Sequence, residues 1–413
     1  MTRQIRSVAA ILVSTIIFLM GNGLLGTLIP VRAHLAHFSN FVIGLIGSAY
    51  FVGFVLGCYA GPKLLARAGH SRAFAAAAGI ATAATLIMSL IFSEIAWIVL
   101  RITFGFAAAV LYMAIESWLN DRATNETRGS IFAAYLVVNF SGLVLGQWMF
   151  ATGRPSSYTL FTLASVFYAL CLIPMGLTRT PQPKPAHVPA LDPLKIFRVS
   201  PVSFAGCIAV GLANAAVWSL APIYAQDHGL TRGALAGFMM AFTAGGALSQ
   251  MPIGRLSDRM DRRYVIAAMT LWAAIAGFCL YWFGGHGPTL TLVLVCLFGM
   301  TTLTHYGLTV AHANDRLPRE EFVEASATLL LINAVASTAG PMLAGIVMQR
   351  FGSASLFLYT AAIHVAMCAF TLLRVATSAK APEALREPFE PMPAASSPIE
   401  LELDPRSPEH EAA

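Results

Sequence analysis

Residues 112–122 read Tyr-Met-Ala-Ile-Glu-Ser-Trp-Leu-Asn-Asp-Arg, and residues 306–316 read Tyr-Gly-Leu-Thr-Val-Ala-His-Ala-Asn-Asp-Arg. The two stretches share their first residue and closing tripeptide at an offset of 194, so Asn120, Asp121 and Arg122 return as Asn314, Asp315 and Arg316. The same offset carries Gly105 onto Gly299, Asn139 onto Asn333 and Gly146 onto Gly340. Earlier in each half an offset of 192 carries Asn22 onto Asn214, Pro30 onto Pro222, Gly53 onto Gly245 and Arg67 onto Arg259. In an apolar chain, polar and glycine identities are harder to reach by chance than leucine or alanine ones, so they mark an internal duplication.

Composition says what is duplicated. The 413 residues are 57% hydrophobic and 11% charged, whereas a soluble domain is about 25% charged. A bilayer core is about 30 Å thick and a helix rises about 1.5 Å per residue, so a span needs roughly 20 apolar residues. Such runs lie near 8–30, 42–62, 74–92, 95–119, 131–152, 158–178, 202–225, 234–254, 264–283, 289–312, 326–349 and 353–375. The expected fold is therefore an all-α membrane protein of twelve transmembrane helices in two six-helix bundles. Residues 1–178 form the first bundle and 201–375 the second. Between them, 179–200 carry Pro181, Pro183, Pro185, Pro189 and Pro193 and read as a linker. From 376 to 413 glutamates alternate with prolines, the composition of a disordered acidic tail.

Lys and Arg are retained on the cytoplasmic side during insertion. With the N-terminus inside, that face receives Arg3, Arg6, Lys63, Arg67, Arg72, Arg122, Arg128 and, in the second half, Arg255, Arg259, Arg262, Arg263, Arg316 and Arg319; the other receives Arg32, Arg154, Arg232 and Arg350. Both termini, the linker and the tail are expected in the cytoplasm of a bacterial cell, with the protein in the inner (plasma) membrane. The net charge of +6 then reflects topology and lipid headgroups, and nucleic-acid binding is not expected. Six cysteines, all within predicted spans and none in a C-x-x-C pair, suggest neither disulfides nor a metal site. No cofactor is expected, and no enzyme motif stands in a plausible context.

Polar residues inside spans are the candidates for function. A guanidinium at membrane depth costs at least about 2.5–3.5 kcal/mol, so Arg101 either faces a wet cavity or snorkels to the surface. Arg101, Gly105, Tyr112 and Glu116 share a narrow arc of the fourth helix at about 100° per residue. Glu116, fifteen residues beyond Arg101, is either a gate residue or a proton carrier. In the tenth helix Thr301, His305, Thr309 and His312 form a second stripe; His305 is a proton or substrate ligand, or else it bonds a neighbouring helix.

Residues 254–263, Gly-Arg-Leu-Ser-Asp-Arg-Met-Asp-Arg-Arg, resemble the G-x-L-x-D-R-x-G-R-R signature of the major facilitator superfamily, with Asp261 where glycine is usual. In the first-half loop Leu64, Arg67 and Gly69 fit, but Ala66 stands at the aspartate position. Arg101, Gly105 and Ala109 are similar to that superfamily's R-x-x-x-G-x-x-x-A signature, and Gly340-Pro341 to Gly345 resemble its G-P-x-x-G-G signature. Residues 68–72 and 114–122 resemble the YcaD-type branch of bacterial permeases. The resemblance implies alternating access by two rocking bundles and secondary transport of a small solute, coupled to protons, by a monomer. It implies a substrate and proton path near Asn22, Arg101, Tyr112, Asn214, Trp218, His305 and Tyr306, and a cytoplasmic gate of Arg67, Glu116, Asp121, Asp258, Arg259 and Asp315. Asp121 and Asp315 are expected to pair with Arg67 and Arg259 or across the halves. Efflux and uptake stay open. The alternative is a transport-inactive solute sensor signalling through its tail; deleting 380–413 separates the two, since a sensor would lose its output.

Overall fold

The computed structural model describes residues 2–124, 126–177, 183, 191–380, 382, 386, 388–391 and 397. Half of the linker expected over 179–200 and most of the disordered tail expected from 376 fall outside these residues. Twelve helices are long and apolar enough to cross a membrane, and no strand occurs among the described residues. In the first half they are α1 (Thr2–Leu35), α2 (Asn40–Ala68), α3 (His70–Leu90), α4 (Glu94–Arg122), α5 (Arg128–Phe150) and a sixth span broken into α6 (Thr159–Leu170) and α7 (Leu172–Gly176). A short helix α8 (Pro193–Val199) precedes the second half: α9 (Pro201–Asp227), α10 (Arg232–Arg259), α11 (Arg262–Phe283), α12 (Pro288–Asn314), α13 (Phe322–Phe351) and α14 (Ser355–Thr377).

The twelve expected spans are thus all present, and several helices outrun their apolar cores. α1 continues through Pro30 to Leu35, and Pro62, Pro222, Pro252 and Pro341 also lie inside helices. Neighbouring helices can support the backbone groups that a proline frees. Turns are short and capped. Ser39 accepts from the Val42 amide at the start of α2, and Thr231 from the Ala234 amide at the start of α10. A single residue, Gly69 at φ 81°, reverses the chain between α2 and α3.

The duplication is visible in how the helices touch. α2 packs along α4 as α10 packs along α12, and α1 along α5 as α9 along α13. A Cβ placed on Gly53 would lie 1.9 Å from the Ile102 carbonyl oxygen, and one on Gly105 2.1 Å from that of Tyr50. In the second half Gly245 meets Cys296 at 2.3 Å and Gly299 meets Phe242 at 2.1 Å. These positions are related by the same offsets of 192 and 194. Gly146 against Met20 (2.1 Å) and Gly340 against Leu212 (2.4 Å) form another matched pair. Backbone lies on backbone at each site, a contact only glycine permits. We predict that Gly105→Val forces α2 and α4 apart at a cost at or above the ~1–3 kcal/mol typical of overpacking, read as a lower melting temperature of the purified protein in detergent.

The bundles meet along α2 with α13, α5 with α10, and α1 with α9. The first two contacts exchange under the repeat and the third maps onto itself. An even number of spans puts both chain ends on one face, called here the linker face.

Candidate functional site between the bundles

On the face opposite the linker, the bundles are locked together. A Cβ on Gly44 of α2 would sit 2.2 Å from the Pro341 carbonyl oxygen of α13, and one on Gly345 2.6 Å from that of Asn40. The Ser48 hydroxyl accepts from the Met342 amide at 3.2 Å. Gln147 Nε2 of α5 donates to Thr243 Oγ1 of α10 at 3.0 Å, and His34 Nε2 lies 3.1 Å from Asp227 Oδ1. Arg232 donates to the Gly153 carbonyl. A cleft between the bundles is shut on this side.

Arg101 lies inside the first bundle. Its neighbours two residues away along the helix, Val99 and Thr103, are exposed on the outer surface, and a displacement of about 200° turns Arg101 to the opposite side. The guanidinium carbon stands 4.7 Å from the Tyr50 ring centroid and 5.3 Å from that of Phe104. Phe104 packs on Tyr168 at 5.3 Å, and Phe18 on Tyr112 at 5.2 Å and Tyr168 at 6.1 Å. The Tyr168 hydroxyl donates to Asn22 Oδ1 at 3.1 Å. Arg101 Nε is buried without a hydrogen-bond partner among the described residues, and the ionisable groups acting on the guanidinium are the Tyr50 and Tyr168 hydroxyls. No carboxylate among the described residues is one of them.

Asn22, Arg101 and Tyr112 are thereby gathered in one aromatic basket, whereas the other four expected path residues lie in the second bundle. Asn214 Nδ2 donates to the Thr302 carbonyl at 2.9 Å, and Trp218 packs edge-on to Phe242 at 5.2 Å. His305 is 1% exposed, its ring 6.4 Å from that of His364. Neither His305 ring nitrogen has a hydrogen-bond partner among the described residues. Tyr306 is buried in a separate apolar cluster with Cys207, Val210 and Val310. The seven expected path residues are thus divided between the bundles, three in the first and four in the second. An arc places a residue on its own helix but does not say which neighbour it faces. Tyr50 and Tyr168, which complete the basket, were missed. Tyr50 sits one turn before the repeated Gly53, the signal that could have found it; Tyr168 has no local signal.

The linker-face end of the second bundle holds a buried ion cluster. Arg262, 2% exposed, donates from Nε to Asp315 Oδ2 at 2.8 Å and from Nη1 to Ser257 Oγ at 2.8 Å, and its Nη2 lies 3.1 Å from Asp258 Oδ1. The expected pairing of Asp315 with Arg259 is corrected, because Arg259 is exposed on the last turn of α10. The chain reverses at Asp261, which caps α11 by accepting from the Arg263 amide at 3.0 Å, and so turns Arg262 inward. Burial would raise the Asp261 carboxyl, but hydrogen bonds and charge from Arg263 outweigh it and hold the group below its usual range. Asp121 lies 3.9 Å from Arg122, and Arg67 is exposed. Glu116 is fully buried and accepts from the Tyr135 hydroxyl at 2.9 Å.

Against known proteins, the family model described as Major Facilitator Superfamily matches residues 11–246 and 204–403. The chain belongs to the Major Facilitator Superfamily. It is 26% identical over 365 residues to an uncharacterized MFS-type transporter of Enterobacter sp. strain 638, covering 88% of this chain and 94% of that one. It is 24% identical over 367 residues to the uncharacterized MFS-type transporter YcaD of Salmonella typhimurium strain LT2, with the same coverage. Among solved structures it is similar to the nucleoside transporter NupG (TM-score 0.73, 14% identity, 89% of this chain and 98% of that one). It is also similar to a D-xylose-proton symporter (TM-score 0.69, 14% identity, 88% and 96%). Those two likenesses show the fold.

The superfamily's loop signature is kept in the second half of this facilitator and only in part, at Leu64, Arg67 and Gly69, in the first, and the ion cluster belongs to the second half alone among the described residues. At the offset of 192, Arg262 corresponds to His70 and Asp258 to Ala66. His70 is buried against Trp118, ring centroids 5.8 Å apart. The duplicated facilitator bundles have thus diverged at their linker-face ends: one is held by an arginine between two carboxylates, and the other places an imidazole at the matching site.

Proposed function

We propose that this chain is a secondary transporter of small organic anions, working by alternating access and coupled to protons, with its linker face in the cytoplasm. The observation that carries the reading is Arg101: a guanidinium lying against the rings of Tyr50 and Phe104 with its Nε buried, and with no carboxylate among the described residues to balance it. Burying an unpaired charge is costly. A substrate carboxylate would supply charge-assisted hydrogen bonds to the fork, and the surrounding rings suit a planar apolar body. Tyr50 and Tyr168 are the hydroxyls acting on it, Asn22 lies one hydrogen bond beyond Tyr168, and Trp218 stands on the other bundle.

Proton coupling follows from charge. Carrying one anion against the membrane potential costs about 2.3 kcal/mol per 100 mV, and a proton moving with it cancels the term. His305, titratable near neutrality in water and without a hydrogen-bond partner among the described residues, is the proposed proton carrier; one fold neighbour is a D-xylose-proton symporter. Flux then runs whichever way the summed gradients point. The basic loops on the linker face support its cytoplasmic placement in a bacterial inner membrane. Relatives named as transporters favour transport over sensing. Asp258, Asp315 and Glu116 are proposed as gate residues, with Arg262 taking the part expected of Arg259.

The test uses phthalate, a charged probe that leaks slowly through lipid. Radiolabelled phthalate should enter proteoliposomes of the purified chain saturably, faster with acid outside, and a protonophore should stop the acceleration. If neutral phthalamide competed as well as phthalate, the anion reading would fall. His305→Asn should remove the pH stimulation while leaving phthalate exchange at equal pH.

A further inference from the structure

We infer that the C-terminal tail is an autoinhibitory strap, anchored on the signature loop of the second bundle and docked through Ser397 onto Glu116 of the first. After α14 the chain is held close to the body. Arg263 donates to the Ser378 carbonyl at 2.8 Å and Arg316 to that of Ala379 at 3.1 Å. The tail then returns to the loop. Arg386 donates to the Ser257 carbonyl at 3.4 Å and to that of Met260, and the Phe389 amide donates to Asp258 Oδ1 at 2.9 Å.

The Phe389 ring lies in a notch that only glycine leaves open: a Cβ on Gly254 would fall 2.0 Å from its Cδ1. It joins an apolar cluster with Val265, Ile266, Leu308 and Met367. Glu116 accepts the Ser397 amide at 3.1 Å and the Ser397 hydroxyl, and both residues are 0% exposed. Phe389 therefore touches Gly254 and Asp258 in one bundle and Ser397, eight residues on, touches Glu116 in the other.

The consequence follows from the state of the opposite face, which is already shut along α2 and α13. In alternating access that face opens only as the linker face closes. A segment lodged at Glu116 occupies the ground onto which the bundles must close, so the docked strap holds the protein in this state and its release frees the cycle. The inference rests on alternating access but not on the identity of the substrate, so its test reads the seam directly.

In a first arm, Glu116→Cys and Ser397→Cys are combined in the full chain, with a protease site placed at 184–190. Docking predicts that mild oxidation keeps the two cleaved halves together on a non-reducing gel, and that neither single variant does so. Separation of the oxidised halves would overturn the docking. In a second arm, Ser48→Cys at the opposite seam is labelled by a charged thiol reagent in nanodiscs, corrected for the native thiols. Deleting 381–413 is expected to raise the labelling rate about fivefold or more, as a seam population shift of that size requires. Ser397→Asp in the full chain sets a carboxylate against Glu116 and should have the same effect, covering the case in which the truncated chain fails to fold. An unchanged rate in a folded Ser397→Asp chain would overturn the inhibitory role.

Discussion

Arg101→Ala is expected to reduce saturable phthalate uptake by two orders of magnitude or more. Removing one partner of a buried, hydrogen-bonded charge pair costs about 3–5 kcal/mol, and here the surviving partner is the substrate's own carboxylate, left among Tyr50, Phe104 and Tyr168 without a cation. The apo protein should not suffer. It loses an uncompensated charge whose Nε has no hydrogen-bond partner among the described residues, so its melting temperature should hold or rise. That opposition between function and stability separates a ligand-binding arginine from a structural one. Arg101→Lys keeps the charge but loses the planar fork and its packing on the Tyr50 and Phe104 rings, and should give intermediate uptake with a raised KM. Full uptake by Arg101→Ala would remove the basket from the transport path, whereas a collapsed melting temperature would make Arg101 a packing residue.

Arg262→Ala should act in the reverse sense, with stability lost first. Its guanidinium meets the buried Asp315 at 2.8 Å and the more exposed Asp258 at 3.1 Å, and truncation leaves the Asp315 carboxylate buried without its cation. The expected loss is about 3–5 kcal/mol, read as a large drop in melting temperature in detergent. Removing the charge at both ends, as in Arg262→Met with Asp315→Leu, should restore much of it, because a buried pair replaced by apolar groups of similar size is often neutral. Arg259→Ala, on an exposed side chain, should change stability by no more than about 1 kcal/mol. If Arg259→Ala proved the more damaging, the assignment of the ion cluster would be wrong.

The sequence allowed some of this to be read and not the rest, for physical reasons. Span number was readable because lipid thickness sets a minimum apolar length, and each of the twelve runs meets it. The duplication was readable because Gly53, Gly105, Gly245 and Gly299 are held in place by backbone contacts that no other residue allows. The role of Arg262 was not. Whether Arg259 or Arg262 turns inward depends on where α10 ends and on the Asp261 cap, a matter of one residue in boundary placement. Tyr168 reaches Asn22 across 146 positions of sequence, a separation over which no periodicity carries information. The tail composition suggested only disorder, yet Phe389 and Ser397 are single small features in an acidic stretch, and what seats them is a notch at Gly254 and a carboxylate at Glu116.

The interlocked glycines bear on how force travels through the molecule. Where carbonyl oxygens of one helix rest against the α-carbons of the next, nothing soft lies between them: no rotamer can yield and no side chain can bend. α2, with 29 residues, is then a lever about 43 Å long at 1.5 Å per residue, clamped to α4 near its middle and touching α13 near one end. The seam from Gly44 to Ser48 serves as its fulcrum. A displacement of a few ångströms at the far arm, beside Arg67, is delivered to the substrate basket at Tyr50 with little lost to internal give, so a pull at the loop ends can be felt at the depth of Arg101.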